Sequence, residues 1–128
     1  MTQAAPETDP DRAAVLDAQA LAGLTMLDPT GANRLVQRVL STYHASLGRL
    51  LQQIADGQQR SDHAAVRLAA HTLKSSSASI GALDLSRLCG SAEQAIRDGQ
   101  LEAVPPIIQG LQAEARRVAL AVQAMLSA

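Results

Sequence analysis

The chain has 128 residues, a length that suits one domain. Ala and Leu dominate, with one Tyr and no Phe or Trp, so the expectation is an all-α fold whose core is built from Leu, Val, Ile and Ala. With 11 Lys and Arg against 12 Asp and Glu, a net charge of −1 and no aromatic stacking platform, the composition argues against a nucleic-acid surface.

Residues 1–10 carry Pro6 and Pro10 among acidic residues and are expected to form a disordered tail, with residues 11–128 as a single domain. Asp11 can cap a short helix to about Ala22, with Val15, Leu16 and Leu21 on its apolar face. Gly23 and then Leu27-Asp28-Pro29-Thr30-Gly31 read as a break. From about Ala32 to Ala55, Leu35, Val39, Tyr43, Leu47, Leu50 and Ile54 recur at three- and four-residue spacing, the period of a long helix. Asp56-Gly57 is expected to end it, with Gly57 just past the last turn.

A helix from Asp62 to Ile80 follows, capped by Ser61 or Asp62 and closed by Gly81. The next runs from about Leu83 to Arg97, with Asp98-Gly99 at its end. The last opens at Pro105-Pro106, where proline suits a first turn, and continues through Ile108, Leu111, Ala115, Val118, Val122 and Met125. Short connections make neighbouring helices antiparallel, so the expected architecture is an up-down-up-down four-helix bundle with a short N-terminal helix packed across it.

Cys89 is the only cysteine, which excludes an intrachain disulfide and fits a reducing compartment, the cytoplasm. Met1–Pro10 lacks the basic and apolar regions of a signal peptide, and no apolar stretch is long enough to span a bilayer. Cys89 itself falls on an apolar stripe and reads as a small buried hydrophobe.

The chemistry concentrates on the run from Ala70 to Ala82. At about 100° per residue, Val66, Ala69, Leu73, Ser76 and Ile80 share the buried stripe of this helix. His71 lies opposite them, with Arg67, Ser75 and Ala78 nearby and Lys74 to one side. If the chain turns near residue 82, residues whose numbers sum to about 164 lie at the same height, which pairs His71 with Glu93 on the next helix. Glu93 sits at the edge of its own apolar stripe and can lean toward the imidazole.

That pattern suits a phosphate-accepting nucleophile. A carboxylate that accepts from Nδ1–H fixes the tautomer and leaves Nε2 bare. Lys74, the only lysine, can reach phosphate oxygens as a point charge, and small side chains at Ser75 and Ala78 leave room for a phosphoryl group. His63 lies about 12 Å from His71 along the helix, too far for joint metal ligation, so no metal site is expected.

The run His71-Thr72-Leu73-Lys74-Ser75-Ser76-Ser77, ending in Ile80-Gly81-Ala82, resembles the signature of histidine-containing phosphotransfer (HPt) domains of bacterial phosphorelays. The upstream Leu47, Leu51 and Asp62, the downstream Leu85, Leu88 and Glu93, and the final amphipathic helix follow the family's layout, so the resemblance covers about residues 12–126. It implies that His71 is phosphorylated, that Lys74 stabilises the phosphate and that Glu93 orients the histidine. Ser75 stands where many members have Gly.

The expected function is therefore a phosphorelay intermediate. It takes a phosphoryl group from a receiver-domain aspartate and passes it to another receiver. This chain needs no cofactor; the receiver supplies Mg²⁺. No Gly-rich nucleotide loop is present, so ATP-dependent kinase activity is not expected. The docking surface should centre on His71 and include Arg67, Leu68, Ser75 and Ala78, with Val15, Leu16 and Gln19 from the N-terminal helix. Two rivals are an HPt-like adaptor that docks receivers without phosphotransfer, and the dimerisation bundle of a sensor kinase. One chain supplying four long helices favours a monomer over the second.

Overall fold

The computed structural model describes residues 15–127, and five α-helices lie within them. The tail at residues 1–10 and the cap expected at Asp11 lie outside the described residues. The helices are α1 (Ala18–Met26), α2 (Leu35–Gln59), α3 (His63–Ser79), α4 (Leu83–Arg97) and α5 (Val104–Ser127). A 3₁₀ turn at Leu101–Ala103 leads into α5. Helix α2 packs on α3, α3 on α4, α4 on α5 and α5 back on α2, which closes the expected four-helix bundle. Helix α1 lies against α2.

The core follows the apolar spacing. Leu40, Tyr43, Leu47, Leu50 and Ile54 of α2 meet Val66, Ala69, Ala70 and Leu73 of α3, Leu85, Cys89 and Ala92 of α4, and Ile108, Leu111, Ala115, Val118 and Val122 of α5. The many alanines let the helix axes approach closely without aromatic side chains. The one buried tyrosine, Tyr43, shares a 2.8 Å hydrogen bond with Ser77 Oγ and so fixes α2 against the lower half of α3. On α3 it is Ser77 that is buried, while Ser76 of the expected stripe is half-buried.

Three helix ends use one backbone device. Past the last residue of α3, Gly81 takes φ of +84°, its N–H bonds to Ala78 O at 3.1 Å and Ala82 N–H bonds to Ser77 O at 2.8 Å. This is the Schellman pattern, which needs a left-handed residue. Helix α4 closes in the same way at Gly99, as its sequence predicts.

Helix α2 differs from expectation. It runs to Gln59, and Ser61 at φ of +53° is the left-handed residue, with Asp62 N–H bonded to Gly57 O at 2.8 Å. Gly57 is buried inside the helix, where an added Cβ would stand 2.7 Å from Val66 Cγ2. The glycine marks a close approach of α3, not a helix end. The start of α2 is also displaced, from Ala32 to Leu35. The buried carboxylate of Asp28 accepts from the N–H groups of Asn33 and Leu35, both at 3.1 Å, so the loop caps the helix from seven residues upstream.

The N-terminal segment corrects a second expectation. The helix expected over residues 11–22 is interrupted at Leu16-Asp17. Asp17 caps α1 through Ala20 N–H at 3.0 Å, and α1 continues through Gly23 to Met26. An interior glycine costs only about 1 kcal/mol, which a capped helix tolerates. Asp17 N–H bonds to Gly81 O at 2.8 Å, pinning this segment to the α3–α4 turn, and Val15 enters the core at 6% exposure.

Cys89 and Tyr43 give the bundle an alkaline limit. Burial pushes the Cys89 thiol from 9.0 up to about 12. Burial also raises the Tyr43 phenol from 10.0 to about 12, against the opposing pull of Ser77. Both groups stay neutral in the fold and ionise earlier in the unfolded chain. The unfolded state therefore loses protons first, and stability falls as pH rises above 9.0 toward 12. Denaturant titrations across this range should show the loss, and Cys89→Ala should flatten its first part. An unchanged profile for Cys89→Ala would contradict the neutral buried thiol.

Candidate functional site

The site is built on the hairpin of α3 and α4. Gly81 turns the chain, and the two helices run back to back so that residue heights match as the numbering predicts. His71 Nδ1 lies 2.7 Å from Glu93 Oε2. The His71 side chain is 57% exposed and that of Glu93 only 4%. Imidazole is thus held from beneath by a carboxylate that solvent hardly reaches.

Glu93 Oε1 accepts from Lys74 Nζ at 2.7 Å, and Oε2 accepts also from Arg97 Nη2 at 3.2 Å. The hydrogen bond from Lys74 holds the Glu93 carboxyl below the usual carboxylate range, outweighing burial, and the bond to His71 acts in the same direction. The carboxylate is therefore ionised at neutral pH. An ionised carboxylate only accepts, so Nδ1 carries the proton and Nε2 of a neutral imidazole keeps its lone pair.

The stem of Lys74 passes close over α4 on its way to Glu93. An added Cβ at Gly90 would lie 3.4 Å from Lys74 Cδ, so the lysine stem crosses α4 where that helix has no side chain. Ser86 Oγ donates to Lys74 O at 2.9 Å and ties α3 to α4 at the same level. The ammonium has three donors, of which Glu93 takes one.

Around His71, Arg67, Leu68, Ser75 and Ala78 are exposed, Leu68 at 66%. Gln19 is exposed and Leu16 half-buried. Val15 is a core residue, so it is removed from the expected docking surface: its side chain is shielded by the bundle. His63 is half-buried in the first turn of α3, and no group of three or more metal-ligating side chains occurs among the described residues.

Arg97, Gly90 and Ser86 of the site have no functional role evident from the helix pattern alone. Arg97 was legible as a partner for Glu93 from its four-residue spacing. Gly90 and Ser86 carry no signal of their own; their roles exist only once α3 lies on α4.

The site is thus an exposed histidine on a helical bundle, held from below by a buried carboxylate and flanked by a lysine. The sequence pattern of the Hpt domain family matches residues 35–128, and this chain belongs to that family. The fold is similar to that of histidine-containing phosphotransfer protein B (HptB) from Pseudomonas aeruginosa PAO1. The TM-score is 0.79 and the identity 25%, over 88% of this chain and 95% of that one. A rice protein assigned as a histidine-containing phosphotransfer protein shares the fold, with a TM-score of 0.75 and 22% identity over 98% of this chain and 95% of that one. Comparison with curated proteins gives no match.

The role that follows is histidine phosphotransfer in a phosphorelay. Proteins of this family are carriers rather than kinases, and they interact with receiver domains. No helix among the described residues is long and apolar enough to cross a membrane.

Proposed function

We propose that His71 Nε2 is the phosphoryl acceptor, Lys74 the group that stabilises the phosphate and Glu93 the group that orients the ring. The observation that carries this reading is the 2.7 Å bond from His71 Nδ1 to buried Glu93, on a side chain that is otherwise mostly exposed. A receiver domain docks over His71 against Arg67, Leu68, Ser75 and Ala78, with Leu16 and Gln19 at the margin.

The Nε2 lone pair attacks the phosphorus of the receiver's aspartyl phosphate in line. The N–P bond forms as the bond from phosphorus to the aspartate oxygen breaks, and the aspartate leaves as a carboxylate. Nδ1 keeps its proton, so the phosphorylated ring is cationic and faces the ionised Glu93. Most of the catalytic effect is positioning and charge stabilisation. Mg²⁺ is the receiver's contribution, and no cofactor is assigned to this chain. The reverse step delivers the group to a second receiver.

The protein acts as a carrier without ATP-dependent activity of its own, as a monomer in the cytoplasm. The helices described over residues 15–127 form one domain. One chain supplying every helix of the bundle supports the monomer reading.

Incubation with a panel of phosphorylated receiver domains tests the reading. An acid-labile, base-stable label on this protein supports it. No label from any receiver, with the helical fold intact, would favour a docking adaptor. Lys74→Ala is expected to slow transfer about tenfold or more without preventing folding. An unchanged rate would remove Lys74 from its assigned role.

A further inference from the structure

Glu93 is the hub of the site. His71 Nδ1 and Arg97 Nη2 share its Oε2, at 2.7 and 3.2 Å, while Lys74 Nζ holds Oε1 at 2.7 Å. Arg97 rises one turn further along α4, and its Nη1 is steadied by Gln94 Oε1 at 3.3 Å. On an exposed helix a pair at this spacing contributes little. Here the acidic partner is only 3% exposed, and a buried carboxylate without a counter-charge is costly.

In the resting protein Lys74 supplies that counter-charge. Phosphorylation changes the balance. The phosphoryl group brings close to two negative charges to the ring, about one helical turn from Lys74, and draws the ammonium toward its oxygens. At the same moment the ring becomes cationic and needs Glu93 to stay ionised. Arg97 is already in contact with the oxygen that faces the ring.

We propose that Arg97 is a positioning residue for phosphotransfer: it keeps Glu93 ionised, with Oε2 aimed at His71 Nδ1, while Lys74 turns to the phosphoryl group. The inference rests on His71 being the acceptor. Arg97 need not touch the phosphoryl group, because it acts through Glu93.

A double-mutant cycle reads this directly. In the wild-type background Arg97→Gln should slow transfer from a phosphorylated receiver about tenfold, and Arg97→Lys should restore most of the rate. In a Glu93→Gln background there is no carboxylate charge to hold, so adding Arg97→Gln should change the rate by less than about twofold. Independent, additive losses would overturn the proposal and place Arg97 at the receiver interface. Loss of the wild-type rate in neither background would overturn it also.

A second readout needs no receiver. Imidazole ¹⁵N shifts of His71 report its tautomer in the unphosphorylated protein. Lys74→Ala imitates the departure of the lysine and should retain the Nδ1–H form, because Arg97 remains. Lys74→Ala with Arg97→Gln should lose it, with the thermal melt showing that the bundle is still folded. Retention of the Nδ1–H form in that double variant would overturn the role of Arg97. If no receiver phosphorylates the wild type, the acceptor reading fails, while the tautomer still decides whether Arg97 holds Glu93.

Discussion

His71→Gln is expected to fold like the wild type and to accept no phosphoryl group. Glutamine has no nucleophilic nitrogen, because its amide lone pair is delocalised into the carbonyl. Its amide N–H can still donate toward Glu93, and the carboxylate retains Lys74 and Arg97. The side chain at 71 is 57% exposed, so little packing is lost. The stability change should stay within about 1 kcal/mol. The loss of transfer should be complete, since no other histidine stands beside Glu93 and Lys74: His63 opens α3 and His44 lies on α2. Helical circular dichroism, a thermal melt and transfer from a phosphorylated receiver check both halves. A large loss of helicity would contradict the exposed placement of His71. Residual transfer would mean a second acceptor.

Leu73→Asp is expected to unfold the bundle. Leu73 is fully buried, two residues from His71 on the opposite face of α3. Removing the leucine contacts costs about 3–5 kcal/mol when a cavity remains. Burying a carboxylate without a partner adds several kcal/mol more, or forces its protonation. Domains of this size have about 5–15 kcal/mol in total. The sum reaches that range, so no cooperative melt should survive. Leu73→Met keeps volume and polarity and should cost less than about 1.5 kcal/mol. A native-like melt for Leu73→Asp would show that the helix face is assigned wrongly, and the orientation of His71 would fall with it.

Both expectations depend on a helix wheel that is legible in the sequence. The apolar period of α3 put Leu73 inward and His71 outward, and the turn at Gly81 brought Glu93 to the height of the imidazole. Periodicity and a left-handed glycine are local signals, and local signals survive into the fold. Gly57 shows where they mislead. The same residue type that ends α3 lies inside α2, because the space it leaves is filled by Val66 from another helix. The ending passes instead to Ser61, which gives no glycine signal. Val15 was misplaced for a similar reason. Its apolar character was plain, but only the anchoring of Asp17 to Gly81 decides that it faces the core rather than a partner. The hub at Glu93 was half legible: its height relative to His71 follows from the turn, while Lys74 crossing bare Gly90 and Arg97 sharing Oε2 require the packed helix pair.

The most direct test is where the phosphoryl group sits. The protein would be phosphorylated by a receiver domain, or by phosphoramidate, a small-molecule donor, and the phosphorus located by ³¹P–¹⁵N coupling to a labelled imidazole. The expected result is phosphorus on Nε2 of His71 alone, with the proton retained on Nδ1 against Glu93. Phosphorus on Nδ1, or on any residue other than His71, would contradict it.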